Sequence, residues 1–210
     1  MISVIIPAHN EEKYIEKTLK KIPDNLEIIV VCNGCGDNTL KISKKYGKTF
    51  IIKEKNVSLA RNYGGNKAKG NVIIFLDADT LINDEIIKKI DSVKDKDFFG
   101  TCWAKPDNDK FIANFYFNIK NLFGLFGMHN ASGIIFCTKD IFKKVKFNKN
   151  ITKHENQDFS KRAKKYGKRY FLNCYVITSM RRFEKLGYLK VPLYWLKEIF
   201  LKTKGYPVIR

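Results

Sequence analysis

Three short segments hold residue types that could do chemistry: His9-Asn10-Glu11, Asn33-Gly34 and Asp77-Ala78-Asp79. Each follows an apolar run of strand character, and in an open parallel sheet ligands gather at the carboxyl ends of the strands. Asp77 and Asp79 point most clearly to a reaction. Two carboxylates two residues apart at the end of a buried strand can offer hard oxygen ligands to Mg²⁺ or Mn²⁺, while a substrate diphosphate fills further positions. The plain structural use of the same residues is a turn in which Asp79-Thr80 caps the next helix. Two more carboxylates, Glu155 and Asp158, stand together in the second half. There they are candidates for a general base, or for a helix cap and a lysine partner.

Placing these residues requires a βα alternation, and the first half has one. Ser3–Pro7, Glu27–Val31, Thr49–Ile52 and Val72–Leu76 read as strands, the last apolar on both faces as central parallel strands are. Between them, Asn10 is expected to cap a helix along Ile15, Leu19 and Ile22, and Asp37 one along Leu40, Ser43 and Tyr46. A third helix from Ser58 through Ala60, Tyr63 and Ala68 is expected to stop at Gly70 in a left-handed conformation. The second half is less regular. It reads as a helix over Asp84–Val93, a strand over Phe98–Ala104, and one or two aromatic-rich helices over Phe111–Phe126. A return to the sheet at Gly133–Cys137, a helix over Asp158–Tyr166 closed by Gly167, and an extended Arg169–Ser179 follow. The expected organisation is one α/β domain over residues 1–183, with a basic amphipathic tail over 184–210 along Leu196, Ile199, Phe200 and Thr203.

The charge of +19 attracts phosphate-bearing partners such as nucleotides or anionic lipid, although abundant lysine is also a matter of general composition. No nucleic-acid motif accompanies the charge, so no nucleic-acid partner is expected. The amino terminus has no basic flank and too short an apolar run for a signal peptide. The longest stretch without acidic or basic side chains, Asn121–Thr138, is a poor membrane span because of its polar residues and three glycines. Five cysteines, an odd number, argue for reduced thiols and a cytoplasmic protein, with the inner membrane face as a second expectation. That expectation draws on the charge, the aromatic Phe111–Phe126 segment and the tail. Cys32-Asn33-Gly34-Cys35 lies where a redox pair could, between strand and helix, but that reading leaves Asp77 and Asp79 without a role. His9, His129 and His154 have no metal-ligand spacing.

In order and spacing, four segments resemble the family 2 glycosyltransferases of the GT-A fold: Pro7-Ala8-His9-Asn10-Glu11-Glu12, Val30–Thr39 around Asn33-Gly34, Ala60-Arg61-Asn62-x-Gly64, and Phe75–Thr80. Four ordered motifs are far more specific than one Asp-x-Asp. The resemblance implies a mostly parallel sheet sandwiched by helices. Residues 1–80 would bind a nucleotide sugar and 98–183 would shape the acceptor pocket. Pro7, His9, Asn10, Glu11 and Asn33 would surround the base, Asp77 the ribose, Ala78 and Arg61 the nucleotide, and Asp79 the metal bridging the diphosphate. Ser132 and Gly133, within Ala131-Ser132-Gly133-x-x-Phe136, resemble the acceptor side. Arg181, within Thr178–Phe183, resembles a basic segment able to clamp a diphosphate.

Glu155–Arg162 resembles the segment that usually reads Glu-Asp-x-Asp-Leu-Ser-x-Arg, whose first Asp is the base of inverting members. Here that position is Asn156, and an amide is no base near neutral pH. Glu155 and Asp158 are the carboxylates left for the role, Glu155 favoured by adjacency, and an ionised acceptor such as a lipid phosphate would need no base. The expected reaction is sugar transfer with inversion from a UDP- or GDP-sugar to a glycan, lipid or lipid-phosphate acceptor. A metal-dependent sugar nucleotidyltransferase and a silent nucleotide-sugar binder are the alternatives.

Overall fold

The apolar runs that lead into the three chemical segments become neighbouring strands. In the computed structural model, which describes residues 1–126, 133–151, 154–188 and 190, β1 (Ile2–Ala8), β2 (Glu27–Asn33), β3 (Lys48–Ile52) and β4 (Val72–Leu76) lie side by side in parallel. β1 is buried along its whole length between β2 and β4, which is why it tolerates no charge. Four further strands, β5 (Thr80–Leu81), β6 (Phe98–Pro106), β7 (Ile134–Thr138) and β8 (Lys168–Thr178), complete an eight-stranded sheet of order β3-β2-β1-β4-β7-β6-β8-β5. β7 runs against β4 and β6, and β5 against β8, while β6 and β8 are parallel. Six strands therefore share one direction, and the carboxyl ends of β1, β2 and β4 lie at one edge.

Helices cover both faces, because successive side chains of a strand point to opposite sides and both sides here are apolar. On one face Val4, Ile6 and Ile74 pack with α1 (Ile15–Leu19), α4 (Asp84–Asp91), α5 (Phe111–Leu125) and α8 (Arg181–Leu186). α2 (Thr39–Ser43) lies beside α1 and β2. On the other face Ile5, Ile73 and Phe75 pack with α3 (Val57–Lys67), α6 (Lys139–Val145) and α7 (Glu155–Ala163). Phe75 sits against Phe142, Phe147 and Phe159, an aromatic floor under the end of β4.

Several local expectations are corrected. Asn10 caps no helix: it adopts a left-handed φ of 54° and its Oδ1 accepts from Gly36 N at 2.8 Å, while α1 begins later, at Ile15. Asp37 is a turn residue instead of the cap itself, accepting from Thr39 N at 3.0 Å, with α2 starting at Thr39. α3 is capped by Asn56, whose side chain accepts from Leu59 N at 3.0 Å, so the helix starts before Ser58. Gly70 and Gly167 are not left-handed. Each is needed for close approach, since a Cβ would lie 2.7 Å from Met1 O at Gly70 and 2.5 Å from Ile141 Cδ1 at Gly167. β5, α6 and α8 are elements that periodicity did not announce, being short and partly charged. α7 begins at Glu155, placing Glu155 and Asn156 in its first turn. α8 crosses the expected boundary at residue 183, and 191–210 of the tail lie outside the described residues.

Candidate functional site

Arg61 is the hub of the site. α3 reaches it because Gly64 and Gly65 press the helix onto the sheet: a Cβ on Gly64 would stand 2.4 Å from Ile5, and one on Gly65 2.4 Å from Phe142. The buried guanidinium lies 5.1 Å from the centre of the Phe147 ring. Its Nη2 donates to Asp77 Oδ1 at 2.8 Å, and its Nη1 to Glu155 Oε1 at 2.9 Å and Asn156 Oδ1 at 2.8 Å. Burial opposes the charge, but Asp77 and Glu155 outweigh it and hold the guanidinium above its ordinary pKa. One buried cation thus ties the end of β4 to the start of α7, itself 94 residues along the chain from Glu155. Breaking such a buried pair costs about 3–5 kcal/mol, because the surviving charge is left uncompensated.

Asp79 belongs to a second arginine. Pairing of Thr80 with Thr178 lays β8 beside the Asp-x-Asp turn, and Ser179 N donates to Asp79 O at 3.2 Å. That delivers Arg181, the first residue of α8, onto two acids: its guanidinium meets Glu11 at 2.5 and 2.7 Å and Asp79 Oδ2 at 3.0 Å, and it covers the Tyr14 ring at 4.4 Å. Burial pushes the Asp79 carboxyl up to about 6, with Asp77 and Glu11 adding to the rise and Arg181 and Arg182 opposing it. Lys120 of α5 enters the same electrostatic neighbourhood. Burial and then Arg182 bring its pKa down to about 8, against the pull of Asp77 and Asp79.

The donor set fits a divalent cation that depends on its substrate. Among the described residues no three His, Cys, Asp or Glu side chains form a closed metal site. Asp77 and Asp79 supply two carboxylates, and Mg²⁺ is characteristically held by one or two carboxylates with phosphate oxygens completing its shell. A buried carboxyl with a raised pKa, facing two other acids, is where added positive charge is most welcome.

The amino-terminal loops form the neighbouring wall. Asn33, at the end of β2, is fully buried, and neither its Oδ1 nor its Nδ2 has a hydrogen-bond partner. An unpaired buried amide costs about 1–3 kcal/mol, so it needs a reason. His9 Nδ1 lies 2.7 Å from Asn33 O. Glu11 N donates to Thr39 Oγ1 at 2.7 Å, fixing the loop that holds Glu11 toward Arg181. Pro7 pairs with Val31, and Ala78 is buried between the two aspartates, its carbonyl accepting from Thr18 Oγ1 at 2.8 Å. Cys32 and Cys35 are coupled by a thiol hydrogen bond that raises the buried Cys32 and lowers Cys35 to about 7.

The structure brings Arg61, Asp77, Asp79, Glu11, Arg181 and Glu155 together. It directs Asp158 elsewhere, with Oδ2 accepting from Arg162 Nε at 2.9 Å and Nη2 at 2.5 Å. Arg162 also donates to the carbonyls of Val145 and Lys146, so Asp158 helps join α7 to the end of α6. Gly133 stands closer to the aspartates than an acceptor role alone requires. Its carbonyl accepts from Asp77 N at 2.8 Å, its φ is +75°, and a Cβ would meet Thr80 Oγ1 at 2.2 Å. Ser132 and His129 lie outside the described residues. Lys120 was missed by the sequence reading, although a signal existed: it is the single Lys, Arg, Asp or Glu between Lys110 and Lys139.

Comparison with known proteins agrees with this geometry. The chain is 29% identical over 131 residues to the glycosyltransferase GlyG of Streptococcus pneumoniae serotype 4, covering 57% of this chain and 44% of GlyG. It spans less than half the length of the curated relatives it matches. Among solved structures it resembles Staphylococcus aureus TarS 1-349 in complex with UDP-GlcNAc, with a TM-score of 0.68 at 22% identity over 86% of this chain and 58% of that one. It also resembles a Pyrobaculum calidifontis mannosyltransferase in complex with GDP-Man and Mn²⁺, with a TM-score of 0.69 at 16% identity over 98% of this chain and 65% of that one. These structural likenesses bear on the fold. The family model for Glycosyl transferase family 2 matches residues 3–119, more than half the chain and all of the Arg61, Asp77 and Asp79 cluster; the chain belongs to that family.

Proposed function

We propose that the chain transfers a sugar from a UDP- or GDP-sugar to a glycan, lipid or lipid-phosphate acceptor, with inversion and with Mg²⁺ or Mn²⁺. The observation that carries this reading is the pair of aspartates at the end of β4, each held by an arginine from a different part of the chain. In this reading Asp77, fixed by Arg61, takes the ribose, and Asp79 takes the cation. Bound there, the cation would supply charge neutralisation for the departing nucleoside diphosphate.

The protein's own groups do the rest. Asn33, buried at the end of β2, carries an unpaired donor and acceptor of the kind that matches the edge of uracil or of guanine, and reaching a base there requires the wall around it to open. Arg181 and Lys120 add positive charge beside Asp79, where diphosphate oxygens would lie. Glu155 is the carboxylate nearest the usual base position and is held by Arg61 in the first turn of α7. With a neutral acceptor hydroxyl it takes the proton; with an ionised phosphate it only positions. The amide of Asn156 is a ligand of Arg61.

The test is product analysis after incubation with UDP- and GDP-sugars, Mn²⁺ and a mixed acceptor pool. Release of nucleoside diphosphate, with an inverted sugar on the acceptor, is expected. In a parallel incubation with nucleoside triphosphate and sugar 1-phosphate, formation of nucleotide sugar with release of pyrophosphate would replace the reading with nucleotidyl transfer, and donor binding without turnover in either incubation would replace it with a silent binder.

A further inference from the structure

α5 is apolar on two opposite faces, and only one of them is covered. Ala113, Phe117, Asn121 and Gly124 are buried against β6 and the core, with Asn121 bonded to Ala104 N and O at 3.0 and 2.9 Å. At about 100° per residue, Phe111, Phe115, Leu122 and Phe126 fall within a stripe about 60° wide on the far side. They are 84, 56, 53 and 71% exposed, and Ile119 and Phe123 continue the stripe. A helix apolar all round is normally enclosed. An exposed apolar surface this continuous marks an interaction site.

Charge around the stripe says what it meets. A basic side chain lies at its amino end, where Lys110, directly before Phe111, covers the Tyr188 ring at 5.1 Å. At the carboxyl end of α5, Arg169 donates to the Gly124 and Leu125 carbonyls, placing a cation there and fixing the helix. The chain also leaves the described fold beside this face, since Phe183 of α8 packs on Tyr116 at 4.8 Å. The 191–210 sequence that follows has Lys197, Lys202, Lys204 and Arg210 against a single acid, Glu198, interleaved with Leu, Ile, Phe and Trp. An apolar stripe with a basic margin, continuing into a basic amphipathic sequence on a chain of charge +19, is complementary to an anionic bilayer. α5 has 15 residues, or about 22 Å at 1.5 Å per residue, and among the described residues no helix is long and apolar enough to cross a membrane.

We propose that α5 docks the protein on an anionic lipid surface, lying in the interface with Phe111, Phe115, Leu122 and Phe126 inserted and the basic margin against the head groups. This surface goes beyond the transfer reading and does not depend on it.

The experiment is vesicle flotation at low and high salt, with phosphatidylcholine alone and with phosphatidylcholine and phosphatidylglycerol mixed. The parent is expected to float with mixed vesicles, less at high salt, and poorly with neutral ones. The exposed substitutions Phe111→Ser, Phe115→Ser and Phe126→Ser together should lower the bound fraction roughly ten-fold or more, with the far-ultraviolet spectrum and melting midpoint kept. Should the triple variant fail to fold, Phe111→Asp alone, at the most exposed position, carries the same expectation of weakened binding. Absence of binding to mixed vesicles, or binding that the substitutions leave intact, overturns the proposal. So does a vesicle-free dimer in sedimentation equilibrium that the same substitutions dissolve, which would give the face to a second copy. Nucleotide response in a thermal shift is expected to be unchanged by these substitutions, so failure here leaves the transfer reading standing.

Discussion

The two halves of the sheet solve different problems. β1 to β4 are parallel and regular, with β1 and β4 central, and their carboxyl ends bring Asn33, Asp77 and Asp79 to one edge. β5 to β8 are mixed in direction, with a register irregularity between Cys102 and Trp103, and they place residues by tertiary contact. The lesson is that in this chain the aspartates follow a parallel strand, while Arg61, Glu155 and Arg181 come in from helices. Arg61 and Arg181 are the two fasteners between the halves.

Cutting the first fastener should do most damage. Arg61→Met leaves the mostly buried Glu155 and the partly exposed Asp77 without their shared cation, and a stability loss of about 3 kcal/mol is expected in denaturant titration. Loss below about 1 kcal/mol would mean that the halves are held by strand pairing, packing and the Arg181 clamp, with Arg61 adding little. Glu155→Gln sharpens the comparison from the acceptor side. With a hydroxyl acceptor, kcat is expected to fall about 10²–10⁴-fold, while nucleotide binding, measured calorimetrically, stays within a few-fold. Equal rates in the variant would assign the acceptor to the ionised class.

Arg181→Ala tests the second fastener. It frees Glu11 and Asp79 from their clamp, and nucleoside diphosphate affinity is expected to fall roughly ten-fold as a charge-assisted contact is lost. Unchanged affinity would make Arg181 a structural clamp on Glu11 and Asp79 with no part in diphosphate binding.

The smallest expected effect is on stability and has a definite sign. Folded Asp79 titrates at about 6, above the ordinary aspartate value. Between those two pH values the folded state retains a proton that the unfolded chain has released, so this group favours folding as pH falls and disfavours it above about 6. Asp79→Asn is therefore expected to raise the melting midpoint of the metal-free protein by a few degrees at pH 7 and to change it little near pH 4. A variant that melts lower at pH 7 would contradict this.

How far the sequence was legible follows from the same division. Asp77 and Asp79 were readable because they end an apolar run, and the run's burial fixes where it must lie. The partnership of Arg61 with Glu155 spans 94 residues and has no local signal. The second-half motif offered both Glu155 and Asp158, with Glu155 favoured by adjacency alone, and packing separates them: Glu155 turns to Arg61 and Asp158 to Arg162. Asn10 and Gly70 show the limit of local rules. Each has the residue type of a cap, yet a neighbouring strand or loop needed its conformation or its small size more.

The most direct measurement of the central claim is a thermal-shift titration of UDP, GDP and their sugars, with and without Mn²⁺, on the parent chain and on Asp79→Ala. The account expects at least one nucleotide to stabilise the parent in a metal-dependent way, and Asp79→Ala to lose the metal dependence. A parent that responds to no nucleotide, or a variant that responds as the parent does, would contradict it.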